Sequence, residues 1–402
     1  MVRRPVRSFF RYLGPGIITA ALVFGPGSLT IASKLGSLYA YRHVWVIVVA
    51  IGFMMIYTEM GARIGMATES SLLSVIREKW GRPASMLLGI GIFAITASFQ
   101  AGNTVGASLA FAELFRTDTV PWIIAFTLAG ISLLFFRSFY QVLEKVMIVL
   151  VGVMLLSFLI TLVLAKPSAT ALVSGIVPSL PTGSEVLTIA LVASSFSVVG
   201  AFYQGYLVQE KGWKQDKIRQ GTRESIAGVM ILGTISLFIL VNAAAILYPQ
   251  GIQVTSATDM GLALAPLYGS TATVVFMLGL FGASFSSLIG NATIGGSLLS
   301  DAFSWGSLLT ATNVRVMIML VMIIGALIAL VFGRLPLELI VFAQAITVII
   351  APLVGIALLV IANDESRMGP LKNSTGKNIG GILGLMLLFF LSVSQVYLQF
   401  IR

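Results

Sequence analysis

Cysteine is absent from this chain of 402 residues, and His43 is its only histidine. The lack of cysteine excludes disulfides, thiolate metal sites and thiol catalysis. The sequence also contains no nucleophile–histidine pair and no glycine-rich loop of the kind that cradles phosphates. We therefore expect neither an enzyme nor a bound cofactor.

Hydrophobic residues, by contrast, are abundant. They make up 57% of the chain, charged residues make up 10%, and the mean hydropathy is +1.00. Such a composition is typical of an integral membrane protein. The apolar runs are continuous rather than alternating, which favours helices over a β-barrel, so we expect an all-α bundle.

Eleven stretches are long enough to cross a bilayer as helices. We place them at Gly14–Tyr39, Val44–Ala62, Met86–Phe115, Pro121–Phe136, Val142–Leu164, Leu187–Val208, Ile226–Leu247, Thr271–Leu299, Val314–Phe332, Leu337–Ile361 and Ile379–Ile401.

Charges are distributed unequally along these spans. With the N-terminus in the cytoplasm, 19 of the 25 Lys and Arg residues fall on the cytoplasmic side, as the positive-inside rule requires. The formal net charge of +10 is then a topology signal and a contact with lipid, rather than a mark of nucleic-acid binding. An odd number of spans places the C-terminus outside the plasma (inner) membrane. The oligomeric state does not follow from the sequence.

Two matching interruptions divide the chain into halves. The polar stretch Lys166–Glu185 separates five spans from the next five, and each set opens with an interrupted span, "FGPGS" in the first and "SSFSVVG" in the sixth. Paired breaks of this kind predict inverted repeats with a site at the membrane midplane. We assign residues 1–165 to the first five-helix repeat, 166–361 to the second, and 362–402 to a cytoplasmic loop and the eleventh span.

The breaks themselves supply the candidate substrate ligands. Proline lacks an N–H group and glycine permits non-helical backbone, so a helix can stop and restart within "GPGS". We expect Ser28 to cap the restarting half helix, and the serines of span six to offer hydroxyl groups. The substrate-binding candidates are Gly25, Pro26, Gly27, Ser28, Ser194, Ser197 and Gly200.

Three segments resemble one known family. "GSLYAYRHVW" (Gly36–Trp45) is similar to the pattern G-x-x-Y-G-Y-x-L-L-W of natural-resistance-associated macrophage protein (NRAMP) metal transporters. "GARIGMATESSL" (Gly61–Leu72) is similar to their stretch A-R-L-G-x-x-T-G-x-D-L, and "YLVQ" (Tyr206–Gln209) to the A-L-V-Q that ends span six. The resemblance implies the leucine-transporter fold and a divalent cation bound between broken spans one and six.

The same resemblance marks departures at the metal site. Gly25-Pro26-Gly27-Ser28 stands where the family has D-P-G-N, so the metal-binding aspartate is lost. Ser197-Val198-Val199-Gly200 stands where the family has M-P-H-N, so the thioether ligand is lost too.

Three amides replace titratable residues of the family. Gln204 stands at the second histidine of span six, and Gln100 and Asn103 stand at the acidic pair of the proton route in span three. At these positions the chain therefore has no titratable side chain through which proton movement could be coupled to transport. We take Gln100, Asn103, Gln204 and Phe285 as candidates to line the transport pathway, and assign no metal ligand.

The transported substrate remains open at this stage. A partly hydrated, magnesium-like divalent cation held by neutral oxygens and moved by alternating access without strong proton coupling is our first choice. Half-helix N-termini suit a small organic acid or amino acid equally, and the missing counter-charge suits a neutral solute. A relative that has lost transport is the third alternative.

Two other side chains are interpreted as structural. His43, beside Arg42 and Trp45, is expected in an extracellular loop at the membrane interface. Glu59 is expected to pair with Arg63 one helical turn away.

Overall fold

The computed structural model describes residues 14–136, 138–255, 258–259, 261, 269–332 and 337–400, and all regular structure within these residues is helical. The helices are α1 Pro15–Val23, α2 Pro26–Tyr39, α3 Val44–Ala67, α4 Leu72–Trp80, α5 Arg82–Phe115, α6 Val120–Leu133, α7 Phe139–Ala165, α8 Ala169–Ser174, α9 Glu185–Ser195, α10 Val198–Glu210, α11 Ile218–Ile246, α12 Ser270–Ala302, α13 Thr312–Phe332, α14 Leu337–Ala362, α15 Glu365–Met368 and α16 Thr375–Phe400.

Every predicted span corresponds to a helix or to a pair of half helices. Nine helical segments among the described residues are long and apolar enough to cross a membrane, and the shorter apolar α6 provides another. The first span is α1 with α2, and the sixth is α9 with α10. Both interruptions read from the sequence are therefore confirmed, whereas the limits of the two repeats stay a prediction.

The two longest helices, α5 and α12, form the centre of the bundle and pack along much of their lengths. Small residues permit this contact, since a Cβ on Gly106 of α5 would lie 2.5 Å from Ser284 Oγ of α12. At Gly16 of α1, a Cβ would lie 1.9 Å from the backbone oxygen of Glu224 in α11. The first half helix thus packs against α11 with its backbone in close contact in this conformation.

The outer surface of the bundle is apolar. On α7, Val149, Leu156 and Val163 are each more than 60% exposed. Large apolar side chains on this scale face lipid rather than water in a protein of this hydropathy.

One expectation about single charged or titratable side chains is wrong and another is confirmed. His43 is fully buried, because the turn that joins α2 to α3 folds its ring against Thr188, 3.0 Å from Nε2 to Oγ1. Glu59 and Arg63 do pair, at 3.5 Å, within a larger charged cluster that includes Lys377. Seven of the charges used for topology lie outside the described residues: Arg3, Arg4, Arg7, Arg11, Arg137, Arg334 and Arg402.

Candidate substrate site between two broken helices

The first break is an extended two-residue link between half helices. Helix α1 ends at Val23, where the N–H of Phe24 still donates to Ala20 O at 3.2 Å, and α2 begins at Pro26. Gly25, with φ −117° and ψ −177°, is the N-cap of α2 and offers no side-chain cap. Ser28 lies inside the first turn of α2, so the expectation that it caps this helix is wrong. The restart falls at the proline because its fixed φ is already helical.

The second break is capped by its own serine. Helix α9 ends at Ser195, and Ser197 is the N-cap of α10, accepting a hydrogen bond from the N–H of Gly200 at 3.2 Å. The N–H of Phe196 donates to Val192 O at 2.7 Å, and its ring contacts Tyr57 with centroids 5.2 Å apart. This break therefore satisfies its backbone mainly with groups close in sequence.

Between the two breaks lies a cavity of about 50 Å³. A cavity needs about 10–15 Å³ of water-accessible volume to hold one water, so this cavity suits a few waters or one partly hydrated ion. Within the described residues it is lined by Leu22, Val23, Gly25, Gly27, Ser28, Ile95, Phe99, Asn103, Ala193, Ser194, Ser197, Val199, Asn291, Ile294, Gln344 and Thr347.

Six of the predicted residues line this cavity, and the others do not. Those present are Gly25, Gly27, Ser28, Ser194, Ser197 and Asn103. Pro26 starts α2 and Gly200 belongs to the cap of α10. Their direct part in substrate binding, like that of the six, remains a prediction.

The amides of α5 have different positions. Asn103 Nδ2 donates to Ser287 O of α12 at 3.2 Å, which leaves its Oδ1 directed toward Gly25. Gln100 Nε2 donates to Leu288 O at 2.9 Å, and its buried Oε1 has no hydrogen-bond partner. Both amides therefore donate hydrogen bonds to the backbone of α12. Of the two, only Asn103 lines the cavity.

The remaining pathway candidates lie away from the cavity. Gln204 is fully buried in α10, where it accepts a hydrogen bond from Thr19 and donates to Ser225 at 3.0 Å. Phe285 packs in an aromatic cluster with Phe126 and Phe281. In this conformation the contacts of both side chains are structural.

Two polar residues of the cavity, Gln344 and Thr347 of α14, were missed from the sequence, and Asn291 of α12 lines the cavity as well. Gln344 is 3% exposed, and its Oε1 is buried without a hydrogen-bond partner. The sequence did contain a signal for Gln344. Burying an amide in the middle of an apolar span costs free energy, so an amide there indicates a functional site.

Polar side chains and helix ends line the cavity, but none of its described lining residues carries a charge. None of its lining residues in the described chain is ionisable, and these residues contain no cluster of three His, Cys, Asp or Glu able to hold a metal. The C-terminal ends of α1 and α9 contribute partial negative charge through Leu22, Val23, Ala193 and Ser194. The arrangement can bind a cation weakly through neutral oxygens.

Comparison with known proteins places the chain in a family. The sequence model described as "Natural resistance-associated macrophage protein-like", or Nramp, matches residues 16–398. The chain belongs to the Nramp family. It is 26% identical over 411 residues to the divalent metal cation transporter MntH of Chromohalobacter salexigens, covering 98% of this chain and 92% of that one.

Solved structures agree with this membership at the level of the fold. A mutant of the manganese transporter of Eremococcus coleocola superposes with a TM-score of 0.77 at 18% identity, covering 98% of this chain and 89% of that one. MhsT in complex with L-phenylalanine gives a TM-score of 0.60 at 13% identity, covering 94% and 98%. The chain therefore has the leucine-transporter fold in the form found in Nramp proteins. The same general fold occurs in MhsT, which was solved in complex with L-phenylalanine.

The position of the missing Nramp aspartate is closely packed. A Cβ on Gly25 would lie 3.0 Å from both Asn103 Oδ1 and Ser287 Oγ. The extended backbone of Gly25 would accept any residue, so the restriction comes from these two side chains. A side chain at this position would therefore meet neutral oxygen atoms.

Proposed function

We propose that this Nramp protein carries a divalent metal cation, partly hydrated as Mg²⁺ prefers, through alternating access and without strong proton coupling. The observation that carries the proposal is the 50 Å³ cavity between the two helix breaks, with neutral oxygen ligands. Pockets for organic ligands measure about 300–1,000 Å³. The cavity therefore favours an ion over an organic acid or amino acid.

The chemistry of the donors supports a hydrated ion. Mg²⁺ dehydrates reluctantly and usually keeps several waters, so it can be held through hydroxyl, amide and carbonyl oxygens with water between. Ser28, Asn103, Ser194 and Ser197 offer such oxygens around the cavity. Without a carboxylate, we expect affinity well below that of a charged site.

The lack of titratable residues around the cavity supports the absence of strong proton coupling. Ser28, Asn103, Gln344 and Thr347 cannot change charge in the physiological pH range. A proton released or taken up with each ion would need a group elsewhere in the chain.

The topology belongs to the same proposal. The excess of Lys and Arg predicts a cytoplasmic N-terminus and an external C-terminus in the plasma membrane. A cysteine placed in this cysteine-free chain tests this directly: Lys377→Cys should react with an impermeant thiol reagent only from the cytoplasmic side. Labelling from outside would contradict the orientation.

Uptake into proteoliposomes tests transport. Purified protein is reconstituted with sodium-containing buffer on both sides, and uptake of Mg²⁺ and Mn²⁺ is followed under an imposed potential with internal pH recorded. We expect saturable uptake and counterflow, as a carrier requires, without a change in internal pH.

A pair of variants on α5 serves as a matched control. Asn103→Leu removes the amide from the cavity wall and should strongly reduce uptake, whereas Ser98→Ala removes a hydroxyl that bonds only to its own helix, at 2.7 Å from Ala94 O. Uptake of neither ion, beside an active control carrier, would reject the proposal and direct the search to organic solutes. Uptake that acidifies the lumen of the proteoliposomes would reject the part of the proposal that transport is not strongly coupled to protons.

A further inference from the structure

A deep groove opens on the side of the bundle, between α3, α9 and α16. Its volume is about 480 Å³, about ten times that of the substrate cavity. The groove and the cavity share no lining residue among those that the structure describes, so the groove is a separate site. Pockets for organic molecules measure about 300–1,000 Å³, and the groove falls within this range.

The groove has a buried floor and an exposed rim, and both are mainly apolar. The floor consists of side chains that are each less than 8% exposed, namely Val46, Ala50, Ile189, Val192 and Leu391. The rim consists of side chains that are each more than 40% exposed, among them Val49, Phe390, Val393 and Tyr397. Apolar cavities stay free of water and bind apolar molecules, so the groove suits a hydrocarbon chain.

The groove has the depth of one leaflet of a bilayer. It follows α16 from Leu387 to Leu398, which is about 16 Å of helix at about 1.5 Å per residue. The hydrocarbon core of a bilayer is about 30 Å thick, so one leaflet contributes about 15 Å. All three walls belong to helical segments that are long and apolar enough to cross a membrane. Lipid is therefore the molecule that meets this opening, and one acyl chain matches its length.

One end of the groove is polar. Trp45 and Glu185 line it where α3 and α9 begin, and Tyr397 lines it near the end of α16. Trp45 Nε1 donates to Ser179 O at 3.0 Å, and Trp and Tyr are typical of the membrane–water interface. Glu185 is the only charged residue that lines the groove in the described chain. Its carboxylate attracts the ammonium group of phosphatidylethanolamine and repels an anionic head group.

A single helix separates the groove from the substrate cavity. On α9, Ile189 and Val192 line the groove, whereas Ala193 and Ser194 line the cavity. An acyl chain in the groove would therefore pack against α9, the first half of the broken sixth span, from the side opposite to the substrate. Removal of the chain would leave the buried floor of the groove without packing partners.

We propose that the groove binds one phosphatidylethanolamine molecule, with an acyl chain on the apolar floor and the ammonium group at Glu185, and that this lipid keeps α9 in place for transport. The binding part depends on the groove alone. The part on transport rests on the proposed divalent-cation transport.

Binding is tested by fluorescence, because Trp45 lines the groove and bromine atoms on an acyl chain quench a tryptophan that they contact. The full-length protein keeps Trp45 as its only tryptophan through the substitutions Trp80→Phe, Trp122→Phe, Trp213→Phe and Trp305→Phe. It is reconstituted into phosphatidylcholine vesicles that contain a minor fraction of brominated phosphatidylethanolamine or brominated phosphatidylglycerol. We expect phosphatidylethanolamine to quench beyond its share of the lipid and to bind about two- to fivefold more tightly than phosphatidylglycerol, as one exposed charge pair allows.

Two phenylalanine substitutions on α16 form a matched pair. Ser394→Phe places a ring in the groove and should abolish the excess quenching, whereas Val396 is 39% exposed outside the groove, so Val396→Phe should leave the quenching unchanged. Quenching in proportion to the fraction of each lipid, or excess quenching that survives in Ser394→Phe, would overturn the site.

The head group is tested by Glu185→Gln. This variant should still bind the acyl chain but should lose the preference for phosphatidylethanolamine over phosphatidylglycerol. A preference that persists in Glu185→Gln would overturn the assignment of the ammonium group to this carboxylate. If the protein with one tryptophan does not fold, native mass spectrometry of the wild-type chain carries the same tests: one phosphatidylethanolamine should be retained by wild type and Val396→Phe, but not by Ser394→Phe.

The effect on transport is measured separately, as Mg²⁺ uptake into vesicles with and without phosphatidylethanolamine. We expect faster uptake with this lipid in wild type and Val396→Phe, and no dependence on it in Ser394→Phe, where a ring occupies the groove. Lipid binding without Mg²⁺ uptake in either kind of vesicle would reject the proposed substrate and leave the lipid site standing. Mg²⁺ uptake by wild type that is equal in both kinds of vesicle would overturn the part of the proposal on transport.

Discussion

The two helix breaks of this Nramp protein are stabilised in different ways. At the second break, Ser197 caps α10 through the N–H of Gly200, three residues along the same chain. At the first break, Gly25 provides no side-chain cap, and the free carbonyls meet hydroxyl groups from α12, more than 260 residues away.

The difference separates a local break from one that depends on tertiary structure. A capped break keeps its geometry while neighbouring helices move, because its hydrogen bonds move with it. A break satisfied by another helix changes its hydrogen bonding whenever the two helices separate. We therefore expect a movement of helices to change the hydrogen bonding of the first break more than that of the second.

The largest effect should come from filling the first break. Gly25→Val places a branched side chain against Asn103 Oδ1 and Ser287 Oγ, each 3.0 Å from the new Cβ, beside a cavity of only about 50 Å³. We expect uptake to fall to background in proteoliposomes. Gly152→Val is the control, because no atom outside its own helix lies within 4 Å of a Cβ there. Normal uptake by the Gly25 variant would mean that the cavity is not on the route.

Restoring the family's carboxylate should have the next largest effect. The extended backbone at Gly25 accepts a side chain, and Gly25→Asp requires Asn103 and Ser287 to shift by a few tenths of an ångström. A full negative charge beside the cavity should tighten Mn²⁺ binding about tenfold or more, since bonds to charged groups contribute about 1.5–3 kcal/mol. Calorimetric titration of wild type and variant measures the ratio. Unchanged affinity would place the bound ion away from the first break.

The sequence predicted the breaks well because proline and glycine act locally. Pro26 between two glycines disrupts a helix wherever it is placed, and the run of serines marked the second interruption. The eleven predicted spans follow equally from local hydropathy and correspond to the observed helices.

The partners of the breaks could not be found in the same way. Ser287 and Gln344 are polar residues in long apolar helices, and nothing in their local sequence shows which helix they face. Ser28 was misplaced as a cap for a related reason, because the exact restart of α2 depends on backbone geometry at a single proline. His43 was placed at the surface although the fold of the α2–α3 turn buries it.

A smaller effect should show how far the first break depends on α12. Ser287→Ala removes the hydroxyl that is 2.9 Å from Phe24 O and leaves a buried carbonyl unpaired. We expect a loss of about 1–2 kcal/mol in the free energy of unfolding, seen as a lower thermal midpoint. Ser284→Ala, which breaks no hydrogen bond, should not lower it comparably.

The smallest effect should come from the second break. Glycine is nearly as good an N-cap as serine, so Ser197→Gly should cost only a few tenths of a kcal/mol. The extended backbone at this position, φ −79° and ψ 91°, is open to glycine, and the ring of Phe196 still anchors the link on Tyr57. Thermal midpoints of Ser197→Gly and Ser287→Ala, measured side by side in the same buffer, compare the two breaks directly. Equal losses would mean that the second break depends on its neighbours as much as the first. A clearly larger loss of stability in Ser287→Ala would identify α1 as the helix that moves during transport. Of the two breaks, only the first has hydrogen bonds that must be exchanged when helices separate.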